Sequence, residues 1–251
     1  LGQTQAKPEI WVLGATVSLA AAQQAWDETL EKVFPTQTGQ AAETAVFKPY
    51  PGPAAGGRAK TSVAKPRVII PVFPGSNCEY DSARAFAQAG GEPEVLVVRN
   101  LSARDIEQSV DALAKAIRRC QILMLPGGFS AGDEPDGSGK FIAALFHSPV
   151  LTEAVMQLLN ARDGLVLGIC NGFQALIKLG LLPYGQIRPL SEDSPTLTFN
   201  RIGRHISRMA DTRVVSGLSP WLSMVKPGDI HTIPVSHGEG RLVASREHLQ
   251  R

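Results

Sequence analysis

The stretch that decides the fold is GLVLGICNGFQALIKLG, residues 164–180. A short apolar run, LVLGI at 165–169, ends in a glycine-flanked cysteine, and apolar residues with helical spacing follow at once. The pattern predicts a strand, a sharp turn and a helix, with Cys170 on the turn. The spacing G-x-C-x-G is that of a nucleophile elbow in which cysteine takes the place of serine.

The predicted position of Cys170 favours a reactive thiolate. Backbone N–H groups and the helix dipole at a helix N-terminus stabilise a negative charge, and the N–H of Asn171 can face an oxyanion. A second donor could come from Gly127 or Gly128 in the turn PGGFSAGD, 126–133, because chemistry in open parallel sheets collects at the carboxyl ends of the strands. Together these groups indicate acyl transfer. The pattern alone also permits a buried structural cysteine at a strand end.

Outward from this stretch, strands alternate with helices, which is typical of a parallel sheet covered on both faces. We therefore predict a three-layer α/β unit followed, after Pro183, by a β-rich insertion. The strand candidates are RVIIPVF (67–73), EVLVVRN (94–100), CQILMLPGG (120–128), LVLGI (165–169), TLTFN (196–200), RVVS (213–216) and IHTIPVS (230–236). The helix candidates are EYDSARAFAQAGG (79–91), ARDIEQSVDALAKAIRR (103–119), SPVLTEAVMQLLNARDG (148–164) and NGFQALIKLG (171–180).

The chain before Arg67 has a different character. EIWVLGATV, 9–17, is interpreted as one short strand, and Ser18 is placed to cap a helix that Pro35 ends. Proline, glycine, alanine and threonine then dominate. We expect 1–34 to be the tail of a preceding domain, 35–66 a linker and 67–251 the main domain, incomplete at its C-terminus.

The amino-acid composition limits the kinds of partner and the cellular compartment that we expect for this chain. The net charge is +2 and basic residues are dispersed, so neither nucleic acid nor a membrane is an expected partner. Three cysteines without a C-x-x-C pair favour a reducing compartment, and we expect a cytoplasmic protein. Cys78 is interpreted as a loop residue and Cys120 as a core residue. GDEPDGSGK, 132–140, fails the phosphate-loop pattern and is interpreted as a glycine-rich rim of the active site.

Four segments resemble the glutamine amidotransferase domain of the phosphoribosylformylglycinamidine synthase family. They are LPGGFSAGDEPDGSGKFIAALF (125–146), GLVLGICNGFQALIKLGLLPYG (164–185), SPTLTFNRIGRHISR (194–208) and IPVSHGEGR (233–241). The resemblance implies a flavodoxin-like class I amidotransferase fold. It also implies that residues 1–34 are the end of a synthetase part of the same polypeptide.

The resemblance assigns a reaction and site residues as well. Cys170 matches the nucleophile that attacks the side-chain amide of glutamine, giving a glutamyl thioester and ammonia. Gly128 and Asn171 match the oxyanion hole, and the substrate-binding positions are Gly127, Phe129 and Gln174. Ammonia would pass to the synthetase part, where ATP and Mg²⁺ serve the conversion of formylglycinamide ribonucleotide to the amidine. No metal or cofactor is expected in this chain.

The catalytic base is an open question. His237 and Glu239 give the His-x-Glu spacing of a triad, but in the resembled family the catalytic His-x-Glu comes later, which here would be beyond Arg251. We therefore expect pocket or interdomain roles for both, with triad membership and a solvated loop as the alternatives. Such a chain would be weakly active or inactive as a glutaminase. The remaining histidines are expected to be hydrogen-bonded or exposed, namely His147, His205, His231 and His248.

Two other functions remain at this point. A stand-alone cysteine hydrolase or peptidase on the same core would share the elbow and act on another substrate. A non-catalytic docking domain would explain a missing base, although the intact elbow beside the Pro-Gly-Gly turn argues against it.

Overall fold

The computed structural model describes residues 2–33, 63–129, 139–245, 247 and 248. Most of the predicted linker and of the 132–140 segment lies outside this part. The chain divides into two units, one formed by 1–47 with 201–204 and the other by 48–200 with 205–251. The predicted domain boundaries remain a prediction.

The first unit holds a hairpin and a helix. Strand β1 (Glu9–Val12) pairs antiparallel with β2 (Ala15–Ser18), and helix α1 spans Leu19–Glu28. The prediction of a single strand over 9–17 was wrong because Leu13 (φ 49°) and Gly14 (φ 82°) both take the left-handed conformation that a two-residue hairpin turn needs. The Ser18 cap is confirmed, since its hydroxyl accepts the Ala21 N–H at 3.1 Å. The helix ends at Glu28, well before Pro35.

The second unit is built on a four-stranded parallel sheet, as predicted. Its strands are β3 (Arg67–Val72), β4 (Glu92–Val97), β5 (Ile122–Leu125) and β6 (Leu165–Gly168), in the order β4-β3-β5-β6. The central strands β3 and β5 are the most apolar and the most buried, because helices cover both of their faces. Loops at the carboxyl ends of β5 and β6 therefore lie side by side.

Helices pack on both faces of this sheet. They are α2 (Glu79–Gln88), α3 (Ala103–Ile117), α4 (Lys140–Phe146), α5 (Pro149–Asn160), α6 (Asn171–Lys178) and the short α7 (Leu181–Tyr184). The larger core cluster joins one face of the sheet to α3, α4, α5 and α6. A smaller cluster around Val68, Ile70 and Met124 packs against Phe86 of α2 on the other face. The three-layer α/β fold is confirmed.

In the described part of the chain, no helix has both the length and the apolar composition to cross a membrane by itself. Helices α4 and α5 would meet that test only jointly, and they are bent by 87° at the break between them.

The region after α7 forms two antiparallel ribbons. Strand β7 (Thr196–Thr198) pairs with β10 (Arg241–Val243), and β8 (Ile206–Arg213) pairs with β9 (Ile230–His237). The β-rich prediction is confirmed at 230–236 and, for the strand predicted over 196–200, at its first three residues. The strand predicted at 213–216 was wrong: β8 ends at Arg213, where Val214 closes the loop by donating its N–H to the Asp229 carbonyl at 2.9 Å. β8 itself is mostly polar and exposed, so its sequence lacks an apolar run.

Candidate active site

Cys170 sits on a strained turn between β6 and α6. Its backbone has φ 52° and ψ −109°, a conformation that costs free energy for a residue with a Cβ. The glycines around it permit close packing. A Cβ on Gly168 would lie 2.6 Å from the Gly172 carbonyl oxygen, and a Cβ on Gly172 would collide with the backbone of Leu125. The predicted elbow geometry is therefore present, and the Cys170 thiol is exposed and unpaired with another cysteine.

The second glycine turn lies beside the elbow. A Cβ on Gly127 would be 3.4 Å from the Cys170 Cβ. Asn77 donates its N–H to the Gly127 carbonyl at 2.9 Å, and Phe129 donates to the Gly75 carbonyl at 2.8 Å. These two bonds flank the bridge between Ser76 and Gly128, so Gly128 directs its own N–H away from Ser76.

Two main-chain donors are thus available near the thiol. Gly128 has φ 129°, and a Cβ there would lie 2.5 Å from the Gly75 carbonyl oxygen, so only glycine fits this turn. Asn171 is the first residue of α6, and an N–H at that position has no acceptor within the helix. This arrangement is compatible with the oxyanion hole that the resemblance implies.

A cavity of about 320 Å³ opens beside Cys170. Its lining combines the two glycine turns with the ends of the β-ribbons. The lining residues are Gly128, Phe129, Cys170, Gln174, Phe199, His205, Ser236, His237, Gly238 and Glu239. Five of the predicted site residues besides Cys170 therefore reach one cavity, whereas Gly127 and Asn171 are not among its lining residues.

Gln174 connects α6 to the loop after β9. Its side-chain Nε2 donates to the Glu239 carbonyl at 2.9 Å, and its Oε1 accepts from the Asn171 side chain at 3.2 Å. All three residues are buried. Gln174 therefore contributes to the cavity wall and also fixes the position of the loop that carries Glu239.

His237 and Glu239 are brought into the cavity by β9 and by a residue that the sequence analysis missed. Asn200 is buried, and its side chain contacts the His237 ring, the His237 carbonyl and the Gly240 N–H. Asn200 lies two residues after the end of β7 at Thr198, and no spacing or motif in this segment distinguishes it. The resemblance covered this segment without assigning a residue in it.

The other reactive side chains lie outside the cavity, with one exception. Cys78 is exposed at the start of α2, and Cys120 is buried as predicted, although β5 begins two residues later than the strand proposed for it. His248 bonds Tyr184 and Ser245, at 3.0 and 2.8 Å. His205 is the exception, because its Nε2 lies 2.8 Å from the Ser236 hydroxyl and the residue lines the cavity.

Burial raises the pKa of the Cys120 thiol from 9.0 to about 11, and the nearby Arg162 opposes that shift in part. A thiol held neutral in this way is a poor nucleophile. Among the described residues, no group of three or more histidine, cysteine or acidic side chains is placed to hold a metal ion. The expectation of a metal-free site remains a prediction.

The fold and this site define an α/β protein with a cysteine nucleophile elbow. Residues 65–251 match the family described as the CobB/CobQ-like glutamine amidotransferase domain. The phosphoribosylformylglycinamidine synthase subunit PurQ of Treponema denticola is 35% identical over 192 residues, which cover 73% of this chain and 66% of that protein. The PurQ subunit of Dehalococcoides mccartyi is 33% identical, with 75% of this chain and 68% of that protein covered.

A solved structure gives the same family relationship as these sequence comparisons. The PurLQS structure from Thermotoga maritima contains a chain that superposes with a TM-score of 0.54 at 28% identity, covering 73% of this chain and 71% of that one. The chain belongs to the CobB/CobQ-like glutamine amidotransferase family, within which its relatives are PurQ-type subunits. The aligned part spans about two thirds of the length of these relatives.

Proposed function

We propose that this chain supplies ammonia from glutamine for the synthesis of formylglycinamidine ribonucleotide. In the first step the Cys170 sulfur bonds to the side-chain carbonyl carbon of glutamine and the C–N bond breaks. The proton that the thiol releases is balanced by the proton that the departing nitrogen gains, so ammonia leaves. Water then adds to the thioester, releasing glutamate and restoring the thiol. These two steps are the acyl-transfer chemistry expected of a cysteine on a nucleophile elbow.

The observation that carries the proposal is the strained backbone of Cys170 at the wall of the cavity. Such strain persists where the surrounding structure enforces it, and it commonly marks functional residues. The main-chain N–H groups of Gly128 and Asn171 are our candidates for stabilising the tetrahedral oxyanion, a contribution worth about 3–4 kcal/mol per donor in well-studied hydrolases.

The other cavity residues are proposed to bind glutamine. Phe129 is half exposed at the cavity and can cover the aliphatic part of the substrate, while Gln174 and Glu239 form the polar wall. His237 is proposed as a pocket residue rather than the base. Its Nδ1 is paired with the neutral amide of Asn200, whereas the base of a triad in this class is oriented by a carboxylate.

The ammonia is proposed to pass to a synthetase partner that uses ATP and Mg²⁺ to activate the formylglycinamide oxygen. Two observations support this step. The curated relatives are named as subunits of phosphoribosylformylglycinamidine synthase, and the solved relative is titled as a PurLQS structure.

Hydroxylamine trapping tests the reaction directly. Hydroxylamine intercepts a glutamyl thioester as the γ-hydroxamate, so the chain mixed with glutamine and hydroxylamine is expected to form both ammonia and hydroxamate. Cys170→Ala should lower both products by roughly 10³-fold or more, as loss of a nucleophile does. Cys78→Ala, which removes another exposed thiol at a helix start, is the control and should retain both. Hydroxamate formation that survives Cys170→Ala would refute the proposal.

A further inference from the structure

Asn200 makes four hydrogen bonds around His237. Its backbone N–H donates to the Gly238 carbonyl at 2.9 Å, and its side-chain Nδ2 donates to the His237 carbonyl at 2.8 Å. Its Oδ1 lies 3.1 Å from the Gly240 nitrogen and 3.1 Å from the His237 Nδ1. One buried side chain therefore holds both the backbone and the ring of His237.

These contacts determine which atom of the Asn200 amide is the oxygen. A backbone N–H, that of Gly240, can only donate, and a backbone carbonyl, that of His237, can only accept. If the amide were reversed, its NH₂ group would face the Gly240 N–H and its oxygen would face the His237 carbonyl, and neither pair could form a hydrogen bond. Because Oδ1 can only accept, the His237 Nδ1 must carry the hydrogen in their shared bond.

The tautomer of the neutral His237 ring follows from this bond. With its hydrogen on Nδ1, a neutral imidazole keeps a lone pair on Nε2. The ring is also seated against Gly240, where an added Cβ would collide with the imidazole. His237 lines the cavity that opens beside Cys170. A ring of this tautomer can offer that cavity a hydrogen-bond acceptor, its Nε2.

We propose that Asn200 is a positioning residue that fixes the Nδ1–H tautomer of His237, so that Nε2 accepts a hydrogen bond from an N–H group of the bound amino acid. This inference rests on the proposed glutaminase function and assigns a recognition contact within it. A glutamine molecule offers two kinds of donor, its α-ammonium and its side-chain amide, and Nε2 can serve either one. The proton transfers of the reaction are not assigned to His237.

Nitrogen NMR tests the tautomer in the intact chain. The two ring nitrogens of a neutral histidine have distinct ¹⁵N shifts according to which one carries the hydrogen, and His237→Asn identifies the signals. The expected result is a neutral Nδ1–H ring in the unmodified chain and a ring with hydrogen on Nε2 in Asn200→Leu. Ser236→Ala is the matched control, since it removes the hydroxyl bound to His205 and should leave the His237 tautomer unchanged. A neutral His237 with hydrogen on Nε2 in the unmodified chain would overturn the inference.

A kinetic comparison tests the role in binding. A glutamine-like chloroketone requires the pocket to alkylate Cys170, whereas iodoacetamide requires only the thiol. Asn200→Leu and His237→Asn are expected to raise the half-saturating chloroketone concentration at least tenfold while leaving the iodoacetamide rate within twofold. A parallel loss of both rates would show that His237 activates the thiol instead, and would refute the recognition contact.

Gly240→Ala keeps this test informative if Asn200→Leu fails to fold. The backbone of Gly240 is not left-handed, so alanine is permitted there, and the three atoms nearest to its Cβ would all belong to the His237 imidazole. The same rise in half-saturating chloroketone concentration is expected, and an unchanged value would count against the inference. A chain that reacts with iodoacetamide but shows no saturation with the chloroketone would instead refute the proposed function, so the two failures are distinguishable.

Discussion

Replacing Gly172 by alanine has two opposing effects on the free energy of unfolding. Alanine is favoured over glycine inside a helix by about 1 kcal/mol, yet a Cβ here would collide with the Leu125 backbone, which cannot rotate away. Overpacking of a rigid site typically costs about 1–3 kcal/mol. Because the clash is with backbone atoms, its cost should lie at the upper end of this range and exceed the gain in helix propensity. We therefore expect Gly172→Ala to lower the free energy of unfolding by a net ~1–2 kcal/mol, measured by urea denaturation.

Gly238→Ala is the matched control for this prediction. Among the described residues beyond its chain neighbours, none has an atom within 4 Å of a Cβ built on Gly238. The free energy of unfolding of Gly238→Ala should therefore differ from that of the parent by less than about 0.5 kcal/mol. A Gly172→Ala chain that is more stable than the parent would mean that the elbow does not pack against β5 as described.

Cys120 gives a prediction for pH dependence. Burial raises the pKa of its thiol from 9.0 to about 11, so the folded chain keeps the proton that the unfolded chain loses in this interval. The stabilisation is complete below pH 9.0 and is lost as pH rises toward about 11. Between these pH values the free energy of unfolding should fall more steeply in the parent than in Cys120→Val, where this titration is absent. If the free energy of unfolding fell equally steeply with pH in both chains, the shifted pKa of Cys120 would be contradicted.

Sequence reasoning reached some residues of the site and missed others, for a physical reason. Cys170 and its glycines were predictable because the elbow requires unusual backbone geometry, which only certain residue types tolerate. Asn200 was not predictable, since its role depends on a loop that lies 37 positions away in sequence. A buried amide has no local pattern that reveals its distant partners.

Among the secondary-structure elements, helices α3 and α5 both begin after a serine, and the two serines differ in whether the side chain caps the helix. Ser102 caps α3, and its hydroxyl accepts the Asp105 N–H at 3.2 Å. Ser148 occupies the same position before α5, but its hydroxyl is buried and makes no hydrogen bond in the described part of the chain. Ser102→Ala should therefore destabilise the protein by about 1 kcal/mol.

Ser148→Ala is expected to be neutral or stabilising, because it removes a buried hydroxyl that lacks a partner. Guanidinium denaturation of both variants measures the difference. If Ser148→Ala cost as much as Ser102→Ala, the assignment of which helix has a side-chain cap would be wrong.

The elements themselves were predictable where local pattern decides them. Buried strands with apolar runs and helices with caps, such as α3, appear close to their predicted bounds. The hairpin at 9–18 was missed because leucine rarely adopts the left-handed conformation that Leu13 has in the turn, so the sequence carries no turn signal there. The order of strands in the sheet is set by packing between distant segments, and no single-chain pattern encodes it.

For the molecule as a whole, the exposure of β1, β2 and α1 gives a prediction about truncation. No residue of β1, β2 or α1 is buried, and Trp11 and Trp26 are 70% and 81% exposed. Removing residues 1–33 should therefore shift the thermal unfolding midpoint of the rest by less than about 2 °C. A fall of many degrees, measured by calorimetry, would show that these residues stabilise the amidotransferase fold.

The central claim is that Cys170 accepts the acyl group of glutamine. Peptide mass spectrometry after reaction with a glutamine-like chloroketone tests it most directly, with all three cysteines of the chain available in one experiment. We expect an adduct on Cys170 that forms more slowly when glutamine is added, with Cys78 and Cys120 unmodified. An adduct spread equally over the exposed Cys78 and Cys170, or one that glutamine does not slow, would contradict it.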